Sequence, residues 1–128
     1  MHNFISQYFD TTLKMVDEKN QITLMEERLK DYLKKDKTGI RLAMLDALLE
    51  SEGCTTMDLH AALLDNGFDY SYRRVCAMLG AMNSKLSVLM QTKQGKSRIY
   101  QIKPACRDAL YYAMENYKDY RSRGSEPE

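Results

Sequence analysis

Basic residues are concentrated in one segment of this 128-residue chain. Between Gly67 and Arg107, eight lysines and arginines stand against a single acidic residue, Asp69, which gives the segment a net charge of +7. The remaining residues carry eleven basic and seventeen acidic side chains, a net charge of −6, so the chain total of +1 conceals the division. Clustered ammonium and guanidinium groups attract phosphates, and this charge distribution is typical of nucleic-acid-binding proteins.

Other chemistries find little support in the residue types. The two histidines, His2 and His60, lie far apart, and the three cysteines are widely spaced without a CxxC pair, so neither a zinc site nor a disulfide framework is indicated. The glycines are too scattered to form a phosphate-binding loop. We expect no catalytic residues, no metal and no cofactor, while a small-molecule effector stays an open alternative.

The bulk composition indicates a soluble globular protein. Hydrophobic residues make up 44% of the chain and charged residues 29%, which argues against disorder. No apolar run approaches the roughly 20 residues that span a bilayer. The first residues lack the basic leader and apolar run of a secretory signal. We therefore expect a cytoplasmic protein without a membrane segment.

A helix must position the first basic residues of the segment. Val75, Leu79, Met82 and Leu86 recur at helical spacing and predict its buried stripe, with Asp69 or Ser71 as its cap. The opposite face is predicted to be small and basic, and it comprises Arg73, Arg74, Ala77, Gly80, Ala81, Ser84 and Lys85.

A β-hairpin is predicted to carry the next basic residues. Residues 87–92 and 97–103 are rich in β-forming side chains and flank Lys93-Gln94-Gly95-Lys96, where glycine suits a turn. Tyr100 and Ile102 are expected to face the core.

Five further helices complete the prediction, which is a mainly α fold with a small β-hairpin. Residues 3–18 and 23–37 read as amphipathic helices, the second capped by Thr23. Two core helices follow. The first is predicted to end at Gly53, and the second to begin at Thr55 or Thr56 and end at Gly67. The last helix is predicted to start at Pro104.

Two of these motifs resemble known proteins. Ser71-Tyr72-Arg73-Arg74-Val75, with Leu79 four residues on, resembles the recognition helices of bacterial and archaeal winged-helix regulators. The stretch from Gly95 to Tyr100 resembles their wing tip and returning strand. The resemblance implies a winged helix-turn-helix domain over residues 38–104. An N-terminal helical arm over 1–37, a C-terminal helix over 105–121 and a flexible tail over 122–128 would surround it.

A second resemblance concerns lineage. Residues 32–41, residues 67–73 and the stretch from Met78 to Leu89 are similar to an archaeal family, common in methanogens, of unassigned function. That family implies a fold but no activity.

The leading interpretation is a DNA-binding transcriptional regulator whose third core helix enters the major groove while the wing contacts the phosphate backbone. The expected DNA-binding residues are Tyr70, Ser71, Tyr72, Arg73, Arg74, Ala77, Lys85, Lys93, Gln94, Lys96 and Arg98. Ala77, Gly80 and Ala81 cannot donate bidentate hydrogen bonds to base edges, which limits sequence-specific readout. The alternative is a protein-interaction module on the same fold, whose basic wing docks on an acidic partner.

The terminal helices suggest a dimer. DNA-reading modules often bind paired half-sites, and the helices added to the core are rich in aromatic residues. We expect a homodimer whose interface draws on Phe4, Ile5, Tyr8, Phe9, Leu13, Tyr112, Tyr117 and Tyr120.

Overall fold

The computed structural model describes residues 20–122, which form five helices and one hairpin. Their order is α1 (20–33), α2 (Ile40–Glu50), α3 (Thr56–Asp65), α4 (Tyr72–Leu86), β1 (Leu89–Gln94), β2 (Ser97–Ile102) and α5 (Pro104–Ser122). The predicted mainly α fold with a small β-hairpin is thus confirmed. The predicted helix over residues 3–18 and most of the predicted tail lie outside the described residues.

Helix α1 differs from its prediction at both ends. Residue 20 is already helical, so Thr23 lies inside α1 and does not cap it. The helix ends at residue 33, short of the predicted Lys37, because Asp36 serves the start of α2. The Asp36 carboxylate accepts hydrogen bonds from the backbone N–H groups of Arg41, at 3.1 Å, and Leu42, at 3.2 Å. These bonds satisfy two donors that a helix start leaves without partners.

Helix α2 ends at Glu50, and its C-cap is Ser51 in an extended conformation, so the prediction that Gly53 terminates this helix is wrong. Gly53 instead lies against the hairpin. A Cβ atom at this position would lie 3.0 Å from Cγ2 of Ile99. The glycine therefore permits a close approach between the α2–α3 connection and β2.

Helix α3 has the predicted signals at both ends. The Thr55 hydroxyl accepts from the Asp58 N–H, and the Asp58 carboxylate accepts from the Thr55 N–H, which forms a capping box. Gly67 follows the helix with a φ of 88°. Phe68 N–H donates to the Leu63 carbonyl at 2.9 Å, and Gly67 N–H donates to the Leu64 carbonyl at 3.0 Å, as in a Schellman motif. The turn to α4 is therefore short and well defined.

The hairpin pairs β1 with β2 in antiparallel register from Leu89↔Ile102 to Gln94↔Ser97. Pairing continues through Lys93 and Gln94, which the sequence placed in the turn, because Gly95 and Lys96 alone complete it. Gly95 has a φ of 60°, a conformation typical of the first residue of a type II′ turn.

A backbone bridge joins the hairpin to the connection between α2 and α3. Cys54, in the α2–α3 connection, exchanges two backbone hydrogen bonds with Tyr100 of β2, at 2.8 and 2.9 Å. As predicted, Ile102 is buried, whereas Tyr100 is half-buried and packs against the core.

A single hydrophobic core gathers side chains from every element. The predicted stripe of α4 is fully buried, and α5 contributes the residues Leu110, Ala113 and Met114. Helix α5 packs against α1, where the Lys30 ammonium lies 5.0 Å from the centre of the Tyr120 ring. Among residues 20–122, no helix combines the length and apolar character that crossing a membrane requires.

Candidate nucleic-acid interface

The outward face of α4 matches the predicted small and basic surface. Arg73, Ala77, Gly80, Ala81 and Ser84 are all exposed, and they lie opposite the buried stripe. The Ser71 hydroxyl caps the helix by accepting a hydrogen bond from the Arg74 N–H at 3.1 Å. A Cβ atom at Gly80 would have no neighbour within 4 Å, so nothing in the described chain covers this part of the helix.

Arg74 and Tyr70 form one unit at the start of α4. The Arg74 guanidinium lies 4.5 Å from the centre of the Tyr70 ring, within the range of a cation–π contact. The Tyr70 hydroxyl is 3.1 Å from Oγ1 of Thr38. Tyr70 is half-buried and acts as a platform that orients Arg74.

His60 is a residue whose role the sequence did not reveal. Its Nε2 donates to the Tyr70 carbonyl oxygen at 2.7 Å, and its ring meets the Tyr72 ring edge-on at a centroid distance of 6.0 Å. His60 therefore holds the α3–α4 turn. The ten-residue separation between His60 and Tyr70 carries no recognisable motif, so only the fold exposes this contact.

Tyr72 lies on the flank of α4 that faces the hairpin. Its side chain is 47% exposed, and a hydrogen bond with Cys76 raises the pKa of its hydroxyl above the usual value.

The hairpin tip and the start of α4 border one groove. Tyr72 and Cys76 line it from α4, and Lys96 and Arg98 line it from the turn and β2. Asp58, the acidic side chain in the lining, already accepts the Thr55 N–H in the α3 capping box. Of the eleven predicted DNA-binding residues, the structure brings three together in this groove, namely Tyr72, Lys96 and Arg98. Arg74 lies on the other flank of α4, where it lines a separate cavity.

Like charges face each other across the hairpin. Lys93 lies directly opposite Arg98 in the register, and both side chains are exposed. Gln94, also exposed, ends β1 opposite Ser97. Directly opposed like charges destabilise a β-ladder by roughly 0.2–1 kcal/mol. The hairpin thus carries a local electrostatic penalty that an anionic partner would relieve.

Lys85 lies apart from the wing, on the flank of α4 that faces α1. The pKa of the Asp31 carboxyl is lowered mainly by its hydrogen bond to Lys34, and the charge of Lys85 contributes in the same direction. Lys85 makes no ion pair within residues 20–122.

Two basic residues of the Gly67–Arg107 segment serve the fold. The Lys103 ammonium donates to the Ser87 carbonyl, at the C-cap of α4, at 3.1 Å. The Arg107 guanidinium donates to the Leu49 carbonyl in the last turn of α2. Cations at helix C-termini satisfy free carbonyls and favour the helix dipole. The other six basic residues of the segment form no ion pair within residues 20–122. They are Arg73, Arg74, Lys85, Lys93, Lys96 and Arg98.

The part of the chain from residue 20 to residue 122 contains no group of three histidine, cysteine or acidic side chains placed to hold a metal ion. Cys54, Cys76 and Cys106 are free thiols.

Comparison with known proteins assigns the chain to a family. The family described as protein of unknown function (DUF2551) matches residues 29–110, which include the whole candidate interface. The chain belongs to the DUF2551 family. An uncharacterized protein of Archaeoglobus fulgidus is 34% identical over 94 residues, which cover 73% of this chain and 96% of that protein. No solved structure matches the chain. The expected resemblance to an archaeal family of unassigned function is therefore confirmed, and the DUF2551 chain has an archaeal relative of similar extent.

Proposed function

We propose that this DUF2551 protein is a cytoplasmic winged-helix regulator that binds double-stranded DNA, with α4 in the major groove and the β1–β2 hairpin as a wing on the phosphate backbone. The order α2, α3, α4, β1 and β2, with Cys54 bridged to β2, agrees with this architecture. In winged helix-turn-helix proteins the second helix of the turn is the one that enters the groove.

The observation that carries the proposal is the set of six basic side chains without ion pairs on α4 and the hairpin. These six side chains have little acid around them, because Asp69 is the one acidic residue between Gly67 and Arg107. On the hairpin Lys93 opposes Arg98, and the Asp58 carboxylate in the groove already accepts a backbone hydrogen bond. Such an arrangement favours a polyanionic partner.

The small outward face of α4 supports close contact with a groove and limits readout. Ala77, Gly80 and Ala81 allow the helix backbone to approach DNA, yet they offer no hydrogen bonds to bases. Direct base contacts would come from Tyr72, Arg73 and Arg74 at the helix start. We therefore expect sequence preference to be modest, with phosphate contacts supplying most of the affinity.

The proposal includes a homodimer, and the structure suggests which residues of α5 would serve it. Tyr117 and Tyr120 line a depression with Lys30 of α1 and with Lys34, which follows α1, so they face their own chain. Tyr112 is 54% exposed and Tyr111 is 51% exposed, and their rings meet edge-on at 5.5 Å. These two tyrosines are the candidates on α5 for a two-fold contact.

The test is binding of a fluorescent 20-base-pair duplex across a series of salt concentrations. With about four phosphates contacted per subunit, log K should fall with log salt at a slope near −3.6 per subunit. Arg73→Ala combined with Arg74→Ala should weaken binding at least about tenfold, since each guanidinium contact to phosphate is a charge-assisted hydrogen bond.

The matched control is Arg28→Ala combined with Arg121→Ala, which removes two exposed arginines of α1 and α5. This control should bind DNA as the unaltered protein does. Absence of duplex binding, or an equal loss in both double variants, would reject DNA binding and favour an acidic protein partner.

A further inference from the structure

A second cationic site lies on the flank of α4 that faces away from the hairpin. A cavity of about 200 Å³ opens between α4 and the loop that joins α1 to α2. Four cationic side chains and one carboxylate, that of Asp36, line it. The cationic residues are Lys35, Lys37, Arg41 and Arg74. We call this cavity the α1–α2 pocket.

The carboxylate in the α1–α2 pocket is already engaged. Both Asp36 oxygens accept backbone N–H groups, those of Arg41 and Leu42. Within residues 20–122, Asp36 forms no ion pair with a lysine or arginine. The lining therefore keeps a net positive charge and free cationic donors.

Both arginines of the pocket are held in place by tyrosines. The Arg41 guanidinium lies 4.7 Å from the centre of the Tyr32 ring and donates to the Tyr32 carbonyl at 2.7 Å. The Arg74 guanidinium stacks on Tyr70 in the same manner. Stacking occupies the face of a guanidinium and leaves most of its in-plane N–H donors available, and this planar fork matches the oxygens of a phosphate.

The two tyrosines are themselves fixed. Tyr32 is buried, and burial raises the pKa of its hydroxyl to about 12, so it adds no negative charge to the pocket. Tyr70 is tied to Thr38 through its hydroxyl and to His60 through its carbonyl. A site whose donors are oriented in advance loses little conformational entropy when a ligand binds.

We infer that the α1–α2 pocket binds a phosphate group, with Arg41 and Arg74 as the oriented donors and Lys35 and Lys37 as additional charge. The cavity has room for a phosphate and a small attached group. The phosphate can belong to a free phosphorylated molecule or to the backbone of DNA lying along α4. The second source rests on the proposed function, because Arg74 is common to both surfaces.

The decisive experiment titrates the full-length, ¹⁵N-labelled protein with inorganic phosphate at constant ionic strength and follows backbone amide shifts. We expect saturable shifts confined to residues 35–42 and 70–74, at millimolar phosphate. Arg41→Lys retains the charge and loses the planar fork, so it should weaken phosphate binding about tenfold. Lys93→Gln removes a cation from the hairpin and should leave phosphate binding unchanged.

Arg41 also donates a hydrogen bond to the Tyr32 carbonyl, and its replacement affects the fold as well as the pocket. A second variant therefore separates a loss of phosphate binding from a folding defect. Lys35→Gln alters an exposed side chain and should weaken phosphate binding several-fold while preserving the thermal midpoint. Shifts that grow linearly and spread over all basic residues, or equal affinity in Arg41→Lys and the unaltered protein, overturn the inference.

Two further arms assign the source of the phosphate. Tighter binding of ribose 5-phosphate than of inorganic phosphate supports a free ligand. For a backbone phosphate, Arg41→Gln should reduce the salt slope of duplex binding by about 1. Saturable phosphate binding without any duplex binding rejects the proposed DNA function alone, and duplex binding without saturable phosphate shifts rejects the phosphate pocket alone.

Discussion

Lys93 and Arg98 lie directly opposite each other on the β1–β2 hairpin, and within residues 20–122 neither forms an ion pair. Fold stability alone would favour an acidic residue at one of the two positions. Under the proposed function, the pair would favour binding to DNA at a cost to the stability of the hairpin.

Lys93→Glu should stabilise the fold and weaken DNA binding. Replacing the repulsion with attraction to Arg98 is expected to raise the free energy of unfolding by roughly 0.2–1 kcal/mol. Urea unfolding and duplex titration measure the two effects. Lys93→Gln, which removes the repulsion without adding attraction, should fall between the two proteins in both measurements. Unchanged DNA affinity of the Lys93→Glu protein would show that the hairpin takes no part in DNA binding.

Gly80→Ala should also stabilise the protein. Gly80 lies inside α4 and an added Cβ meets open space, so the fold gains the helix propensity of alanine, about 0.5–1 kcal/mol. Gly95→Ala is the contrasting variant, because the positive φ at Gly95 makes alanine unfavourable by about 1 kcal/mol. Thermal unfolding of both proteins checks the signs. Destabilisation by Gly80→Ala would indicate a covering partner or segment over this face.

Two neighbouring leucines of α3 should respond differently to truncation. Leu63 is 1% exposed and Leu64 is 44% exposed. Leu63→Ala leaves a cavity in the core and should lower the free energy of unfolding by about 2–5 kcal/mol. Leu64→Ala should change it by less than about 1 kcal/mol. Similar losses in chemical denaturation would contradict the packing of α3.

Stability should fall at alkaline pH through Tyr32. Its folded pKa of about 12 lies above the ordinary value of 10.0, so the folded state holds the proton more tightly. The resulting stabilisation is complete below pH 10 and is lost as the pH rises from about 10 to 12, at about 1.4 kcal/mol per pKa unit. Lysines titrate in the same range, so the measurement is the difference between the unaltered protein and Tyr32→Phe. The exposed Tyr111→Phe is the control, and it should retain the full pH dependence.

Much of the fold follows from local periodicity. The stripe from Val75 to Leu86 is buried because residues at helical spacing share one face, and Thr55, Ser71 and Gly67 act as caps because their chemistry suits helix ends. The outward placement of Arg73 follows from the same geometry. Such features depend only on residues close in sequence.

The remaining features depend on tertiary contacts. Thr23 has the chemistry of a cap, but threonine is also tolerated within a helix, and here the helix includes residue 20. Glycine at position 53 predicts a helix end, whereas in the structure a larger residue there would collide with Ile99 of β2. Lys103 and Arg107 contribute to the net charge of +7 between Gly67 and Arg107, yet they donate hydrogen bonds to carbonyls at distant helix ends. Partners this remote in sequence leave no local pattern.

The two hydrogen bonds between Cys54 and Tyr100 anchor the hairpin to the connection between α2 and α3. They clamp it near its base, while the three residue pairs beyond, from Thr92↔Ile99 to Gln94↔Ser97, project past the clamp. A force on the hairpin tip is therefore transmitted through Cys54, and through Ile99 packed against Gly53, to the connection between α2 and α3.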